Sequence, residues 1–92
     1  MDFRINFKCE TLAEFQSLVA IAWRFAEDHN LAYVKLEKSY SGFRRKPDEA
    51  PKYQVFTSGN ITSCYPAPTI GGAFENAKWR IYNGDITPPA NR

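Results

Sequence analysis

The chain has 92 residues, of which 43% are hydrophobic and 15% aromatic, and its formal net charge is +2. A chain of this length has room for one core, and its apolar content is typical of a folded domain rather than a disordered segment. A net charge this small does not demand a nucleic-acid partner, although local clusters can still form a basic surface. We therefore predict a single domain over residues 1–92, with a frayed tail at 86–92.

The first ten residues alternate between apolar and polar side chains, with Phe3, Ile5, Phe7 and Cys9 on one side. This period of two predicts a first strand at residues 3–9 with one buried face. A secretory segment or a membrane span would need a long apolar run, so we expect a cytoplasmic protein without membrane contact. In a reducing compartment, Cys9 and Cys64 are expected to be free thiols.

A helix is predicted from about Leu12 to His29. Thr11 and Glu14 have the spacing of a capping box, and Asn30 tolerates the left-handed conformation that often ends a helix. The stripe expected to pack on a sheet consists of Leu12, Phe15, Leu18, Val19, Ala22, Phe25 and Ala26.

Two apolar residues of this helix do not belong to the stripe. Ile21 falls among polar residues, and Trp23 lies at the flank of the stripe. Both are therefore candidate contact residues.

Four later segments have the composition of short strands, at residues 32–39, 53–57, 61–65 and 78–82. In the first of them Val34 and Leu36 are expected to face the core, and Tyr33, Lys35 and Glu37 the other side. The predicted fold is α+β, in the order β-α-β-β-β-β. Its four- or five-stranded, mainly antiparallel sheet carries one helix on one face and leaves the other open.

Residues 41–52 carry Gly42, Pro47, Pro51 and several charges, which predicts a long exposed basic loop. Single-strand binders combine such cations with aromatic rings to hold phosphates and stack bases. The alternative is a solvated loop that its charges keep soluble. The candidate binding residues of the loop and its predicted neighbours are Lys35, Lys38, Tyr40, Phe43, Arg44, Arg45, Lys46, Lys52, Lys78, Trp79 and Arg80.

The sequence carries no pattern that indicates catalysis, a cofactor or a metal. The pair Gly71 and Gly72 lacks the lysine and spacing of a phosphate-binding loop, and is expected to form a turn. His29 is the only histidine, and neither cysteine belongs to a CxxC pair. We predict that the protein is not an enzyme.

The strand at residues 3–9, the helix that begins after Thr11 and the basic aromatic segment at 40–46 give the chain a recognisable format. In this format it resembles small phage-encoded proteins that disarm host defences, particularly anti-CRISPR proteins that act on multisubunit RNA-guided complexes. The resemblance implies stoichiometric binding to a host protein–RNA surveillance complex in the bacterial cytoplasm, with occlusion of nucleic acid. Many such inhibitors are acidic DNA mimics, and the charge of +2 departs from that pattern. Contact with bound RNA or a mixed interface is therefore expected.

The sequence leaves three hypotheses. The first is a monomeric inhibitor in which the basic run at 44–46 contacts phosphate or an acidic surface, with Tyr40, Phe43 and Trp79 in apolar contact. The second is a free-standing protein that binds single-stranded RNA or DNA with the same residues. The third is a small structural subunit that hides its open sheet face by self-association.

Overall fold

The structure is a computed structural model that describes residues 1–40, 51–57 and 64–84. The elements in chain order are β1 (Asp2–Asn6), α1 (Leu12–His29), β2 (Tyr33–Ser39), β3 (Lys52–Thr57) and α2 (Ile70–Asn83). The sheet has the order β1-β2-β3, with β1 parallel to β2 and β2 antiparallel to β3. Parallel neighbours need a long crossover connection, which α1 provides.

The α+β class is confirmed, but the predicted four- or five-stranded sheet with a single helix is wrong. The described residues form three strands and two helices. Segment 78–82, predicted as the last strand, lies inside α2. Its alternation of polar and apolar residues is one part of a longer helical pattern, in which residues 70, 73, 74 and 77 turn towards the core.

The prediction that Gly71 and Gly72 form a turn is also wrong, because both lie at the start of α2. Thr69 is the N-cap, and its hydroxyl accepts a hydrogen bond of 3.0 Å from the backbone N–H of Gly72. Gly71 and Gly72 therefore occupy the first turn of the helix.

The predicted strand at 61–65 lies partly outside the described residues, and its described end is not a strand. Cys64 instead begins an edge segment, residues 64–67, that runs beside β3. Its N–H donates to the carbonyl of Val55 at 3.3 Å, and Tyr53 and Ala67 exchange two backbone hydrogen bonds of 2.8 Å each. The predicted tail at 86–92 and most of the predicted loop at 41–52 lie outside the described residues, while Lys52 already belongs to β3.

The prediction of α1 is confirmed at both ends. The N–H of Glu14 donates to the Thr11 hydroxyl at 3.0 Å, and the Glu14 carboxylate accepts from the N–H of Glu10 at 2.8 Å. Asn30 ends the helix in the left-handed conformation, with φ 54° and ψ 50°. β1 is shorter than predicted and stops at Asn6.

Both helices pack on one face of the sheet. The buried apolar side chains there are Leu18, Ala22 and Ala26 of α1, Val34 and Leu36 of β2, Val55 of β3, and Ala73, Phe74 and Ala77 of α2. The helices also contact each other, because the rings of Phe25 and Phe74 lie 5.1 Å apart and His29 Nδ1 lies 2.8 Å from the Tyr82 hydroxyl.

The predicted core stripe of α1 is buried only in part. Of its members, Leu12 is 70% exposed and Phe15 is 45% exposed. The candidate contact residues Ile21 and Trp23, outside the stripe, are 47% and 44% exposed. The sheet has fewer strands than predicted, and α2 packs against the flank of α1 that carries Phe25. One side of α1 therefore extends beyond the core.

Candidate binding surface on the open face of the sheet

The face of the sheet that points away from both helices carries the candidate surface. Side chains alternate between the two faces of a strand, so its members follow from the register. They are Asp2, Arg4 and Asn6 of β1, Tyr33, Lys35, Glu37 and Ser39 of β2, and Lys52, Gln54 and Phe56 of β3. We call these residues the open face. Neither of the two described helices covers it.

The central row of the open face joins two cations and an aromatic ring. The register places Arg4 beside Lys35 and Lys35 beside Phe56. Each cation has its own carboxylate, because Arg4 Nε lies 3.4 Å from Asp2 and Lys35 Nζ lies 3.4 Å from Glu37. These ion pairs reduce the repulsion between the neighbouring cations.

Each cation also lies against an aromatic ring. Lys35 Nζ is 4.5 Å from the ring centroid of Phe56, and Arg4 Cζ is 5.9 Å from that of Tyr33. Both rings are only half-buried. The surface therefore presents two aromatic groups, each already in contact with a positive charge.

β3 forms one border of the open face, next to the edge segment. Gln54 Nε2 donates to the carbonyl of Cys64 at 2.8 Å, so this amide is used to hold the edge segment. Lys52 is exposed beside Ser39 at the far end of β3. With Arg4, Lys35 and Lys52 against Asp2 and Glu37, the open face carries one excess positive charge.

Among the predicted binding residues of the strands, only two lie on the open face, and they are four positions apart along the sheet. Lys35 and Lys52 lie there, whereas Lys38 lies on the opposite face, paired with Tyr53. Tyr40 follows β2 directly and is half-buried.

The other predicted binding residues do not join this surface. Those on α2 are exposed Lys78 and half-buried Trp79 and Arg80, on the opposite side of the sheet. Outside the described residues are four members of the predicted loop: Phe43, Arg44, Arg45 and Lys46.

Arg4, Tyr33 and Phe56 are members of this surface that the sequence analysis did not select. The sequence predicts Tyr33 on the face that points away from the core, and the alternation of the first strand puts Arg4 at one of its polar positions. For Tyr33 and Phe56 the sequence contains one signal of a binding surface, which is an aromatic residue at a strand position that points away from the core. The proximity of Arg4 to them depends on the parallel pairing of β1 with β2, which sequence periodicity does not reveal.

A second concave surface lies on α2, with a volume of about 260 Å³. The described residues that line it all belong to this helix: Glu75, Lys78, Trp79, Tyr82 and Asn83. They combine both charges with two aromatic rings. Because one helix supplies all of these groups, they form a shallow contact surface rather than an enclosed site.

Both cysteines are free thiols. Burial raises the pKa of Cys64 to about 11, against a smaller opposing effect of Arg80. Desolvation, followed by the Glu14 carboxylate, raises the pKa of Cys9. Both thiols are therefore protonated at neutral pH, which makes them poor nucleophiles.

Within residues 1–40, 51–57 and 64–84, no group of three or more His, Cys, Asp or Glu side chains is arranged to hold a metal ion. Neither described helix combines the length and the apolar character needed to cross a bilayer.

Comparison with known proteins gave no match, whether against protein-family models, curated proteins or solved structures.

Proposed function

We propose that this protein is a non-enzymatic binding protein that holds single-stranded nucleic acid on the open face of its sheet. The observation that carries the proposal is the central row, in which Arg4 and Lys35 lie beside each other and each contacts a half-buried ring. Flat β-sheet surfaces with exposed aromatic rings bind unpaired bases by stacking, while neighbouring cations hold the phosphates.

The cations already in contact with the rings do not prevent this mode of binding. A cation–π contact at an exposed site is worth about 0.5–1 kcal/mol. A base stacked on an aromatic side chain contributes about 1–3 kcal/mol. A base can therefore replace Lys35 on Phe56, and the released ammonium then reaches a phosphate of the same strand.

The carboxylates of the open face tune the interaction. Glu37 holds Lys35 at 3.4 Å in the free protein, and its charge repels phosphate. Few phosphate contacts are possible on a face with three cations and two carboxylates. We therefore expect binding to depend weakly on salt. A plot of the logarithm of the binding constant for a single strand against the logarithm of the salt concentration should have a slope of about −2.

As the wider role, we propose that the bound strand is RNA within a host surveillance complex, so that the protein inhibits that complex by occlusion and evades host defence. The resemblance in format to anti-CRISPR proteins supports this role. The alternative role is a free-standing single-strand binder. A purified host surveillance complex distinguishes the two roles. Only the inhibitor hypothesis predicts that the complex stops binding its target nucleic acid when an equimolar amount of this protein is added.

The test of the surface is fluorescence anisotropy with labelled oligouridine of about 12 nucleotides, a length suited to single-strand sites. Phe56→Leu removes a ring and keeps an apolar side chain, so we expect at least about fivefold weaker binding. Phe15→Leu removes an exposed ring from α1 and is expected to leave affinity unchanged. Equal affinities for the two variants would contradict the proposal.

Substitutions of charged residues test the open face independently of the aromatic ring. Lys35→Gln is expected to weaken binding, and Glu37→Gln to strengthen it, because phosphate then meets one negative charge less. Arg24→Gln removes an exposed cation from α1 and is the control. Replacement of Arg44 and Arg45 by Glu tests the alternative binding site, which the sequence predicts within residues 41–52. If only that replacement abolishes binding, the site lies on the loop and not on the open face.

A further inference from the structure

We propose that the open face recognises two successive nucleotides of a single strand, with one base on Tyr33, the next on Phe56 and the phosphate that links them at Lys35. The inference rests on the proposed function, because it names the unit of nucleic acid that the same surface binds. Three features of the described residues support it: the number of rings, their separation and the position of Lys35 between them.

The open face offers two aromatic rings to a strand. Among its described members, only Tyr33 and Phe56 are aromatic. Both side chains are half-buried, so part of each ring remains accessible. Each accessible ring can stack one base. The described part of this surface therefore has room for two stacked bases and not for a longer run.

The register keeps the two rings apart. Phe56 lies directly across from Lys35, and Tyr33 precedes Lys35 by two residues on the same side of β2. Such diagonal positions on two antiparallel strands are about 7–8 Å apart. Each ring lies against its own cation, and the described residues show no contact between the two rings. Tyr33 and Phe56 are therefore two separate stacking surfaces rather than one aromatic cluster.

The separation of the rings determines how a bound strand must be arranged. Successive bases that stack on each other rise by only about 3.4 Å per nucleotide. Bases in that arrangement cannot cover two rings that are about twice as far apart. The bases of an unpaired strand can instead be splayed out, so that each one stacks on its own ring. The open face therefore selects strands whose neighbouring bases are unstacked, and it excludes a duplex.

Lys35 lies at the corner between the two rings. It is directly beside Phe56 across the strands and two residues from Tyr33 along β2, and its Nζ lies 4.5 Å from the Phe56 ring centroid. Among the described cations of the open face, only Lys35 is next to both rings in this way. The phosphate that links two bases must lie between them, which is where this ammonium is held. Arg4 lies beside Lys35 on β1 and adds a second positive charge there.

The test is fluorescence anisotropy with labelled strands of about 12 nucleotides from which half of the bases have been removed. In a paired strand, the uracils stand in twos, and each pair is followed by two abasic residues. In an alternating strand, uracils and abasic residues alternate, so the number of bases and the charge are the same. We expect the wild type to bind the paired strand at least about fivefold more tightly, because only this strand places successive bases on both rings.

Variants assign this preference to the two rings. Tyr33→Leu is expected to abolish the preference, because one ring remains, whereas Tyr33→Phe keeps the ring and the preference. Tyr82→Leu removes an exposed ring from α2 and is the matched control. Circular dichroism checks that each variant is folded.

The outcomes separate this inference from the proposed function. If the wild type binds both strands equally while Phe56→Leu still weakens binding of oligouridine, the proposed function stands and the two-nucleotide site is wrong. If no strand binds, both are wrong.

A second comparison tests the position of the linking phosphate. Neutral methylphosphonate replaces the linkage within each uracil pair in one paired strand, and the linkage within each abasic pair in another, so that both strands have the same charge. We expect the wild type to bind the first strand about threefold more weakly, because Lys35 loses the charge that it contacts. Lys35→Gln should bind the two strands equally, whereas Arg24→Gln on α1 should keep the difference. Equal binding of both strands by the wild type would show that the linking phosphate does not lie at Lys35.

Discussion

The side-chain amide of Asn76 donates a hydrogen bond of 3.1 Å to the backbone carbonyl of Tyr65. The same Nδ2 group lies 3.3 Å from the carbonyl of Pro66, and Asn76 is only 5% exposed. The edge segment that contains these carbonyls is itself bonded to β3. A buried amide on α2 therefore ties the second helix to the edge of the sheet.

We expect Asn76→Ala to lower the free energy of unfolding by about 1–3 kcal/mol, because the partly buried hydrogen bonds from this amide to the carbonyls of Tyr65 and Pro66 are lost. Urea denaturation measures this change. Asn83→Ala is the matched control on the same helix, since Asn83 is exposed and its amide donates to the carbonyl of Trp79 one turn earlier. The control should change stability by less than about 0.5 kcal/mol. Equal losses in the two variants would show that the amide does not hold the edge segment.

The sequence predicted α1 correctly because its end signals are local. Thr11, Glu14 and Asn30 each act within a few residues of their own position, and each has the expected conformation or hydrogen bond. Packing was predicted less well. The exposure of Leu12 and Phe15 depends on the width of the sheet and the position of α2, which are both properties of the whole fold.

α2 was missed because its stability does not come from helix propensity. Gly71, Gly72 and Asn76 are poor helix formers, and the helix contains all three. Burial of Ala73 and Phe74 against the sheet compensates for this. The binding surface was partly missed for a related reason, because strand register and not local sequence brings its cations and rings together.

The two glycines of α2 provide a prediction about helix stability. Gly71 has open space where a Cβ atom would lie, whereas a Cβ on Gly72 would meet Ala67 Cβ and Thr69 Oγ1, both at 3.0 Å. We expect Gly71→Ala to raise the free energy of unfolding by about 0.5–1 kcal/mol, since alanine loses less conformational entropy in a helix.

For Gly72→Ala, the crowding at the N-cap opposes the same gain. We expect this variant to be less stable than Gly71→Ala by about 1 kcal/mol or more. Thermal and urea unfolding of the two variants test the difference. If both gain equally, Thr69 and the edge segment yield without cost, and the close contact at the helix start does not constrain the sequence.

The buried thiol of Cys64 makes stability depend on alkaline pH. The pKa of Cys64 rises from 9.0 to about 11, chiefly through burial. Between these values the unfolded chain loses the thiol proton while the folded protein keeps it. The unfolded state then binds fewer protons, so the free energy of unfolding falls as pH rises through this range. Below pH 9.0 both states are protonated and the group has no effect on the slope.

Urea unfolding under reducing conditions at pH values between 9 and 11 measures this decline. Other groups titrate in the same range, so the informative quantity is the difference between the wild type and Cys64→Ala. The variant loses packing at every pH, but we expect its stability to fall less steeply than that of the wild type. Cys9→Ala serves as the comparison, because Cys9 is only half-buried and most of the decline should remain. Parallel curves for the wild type and Cys64→Ala would mean that the thiolate is solvated in the folded protein, and that the side chain of Cys64 is not held in the dry core.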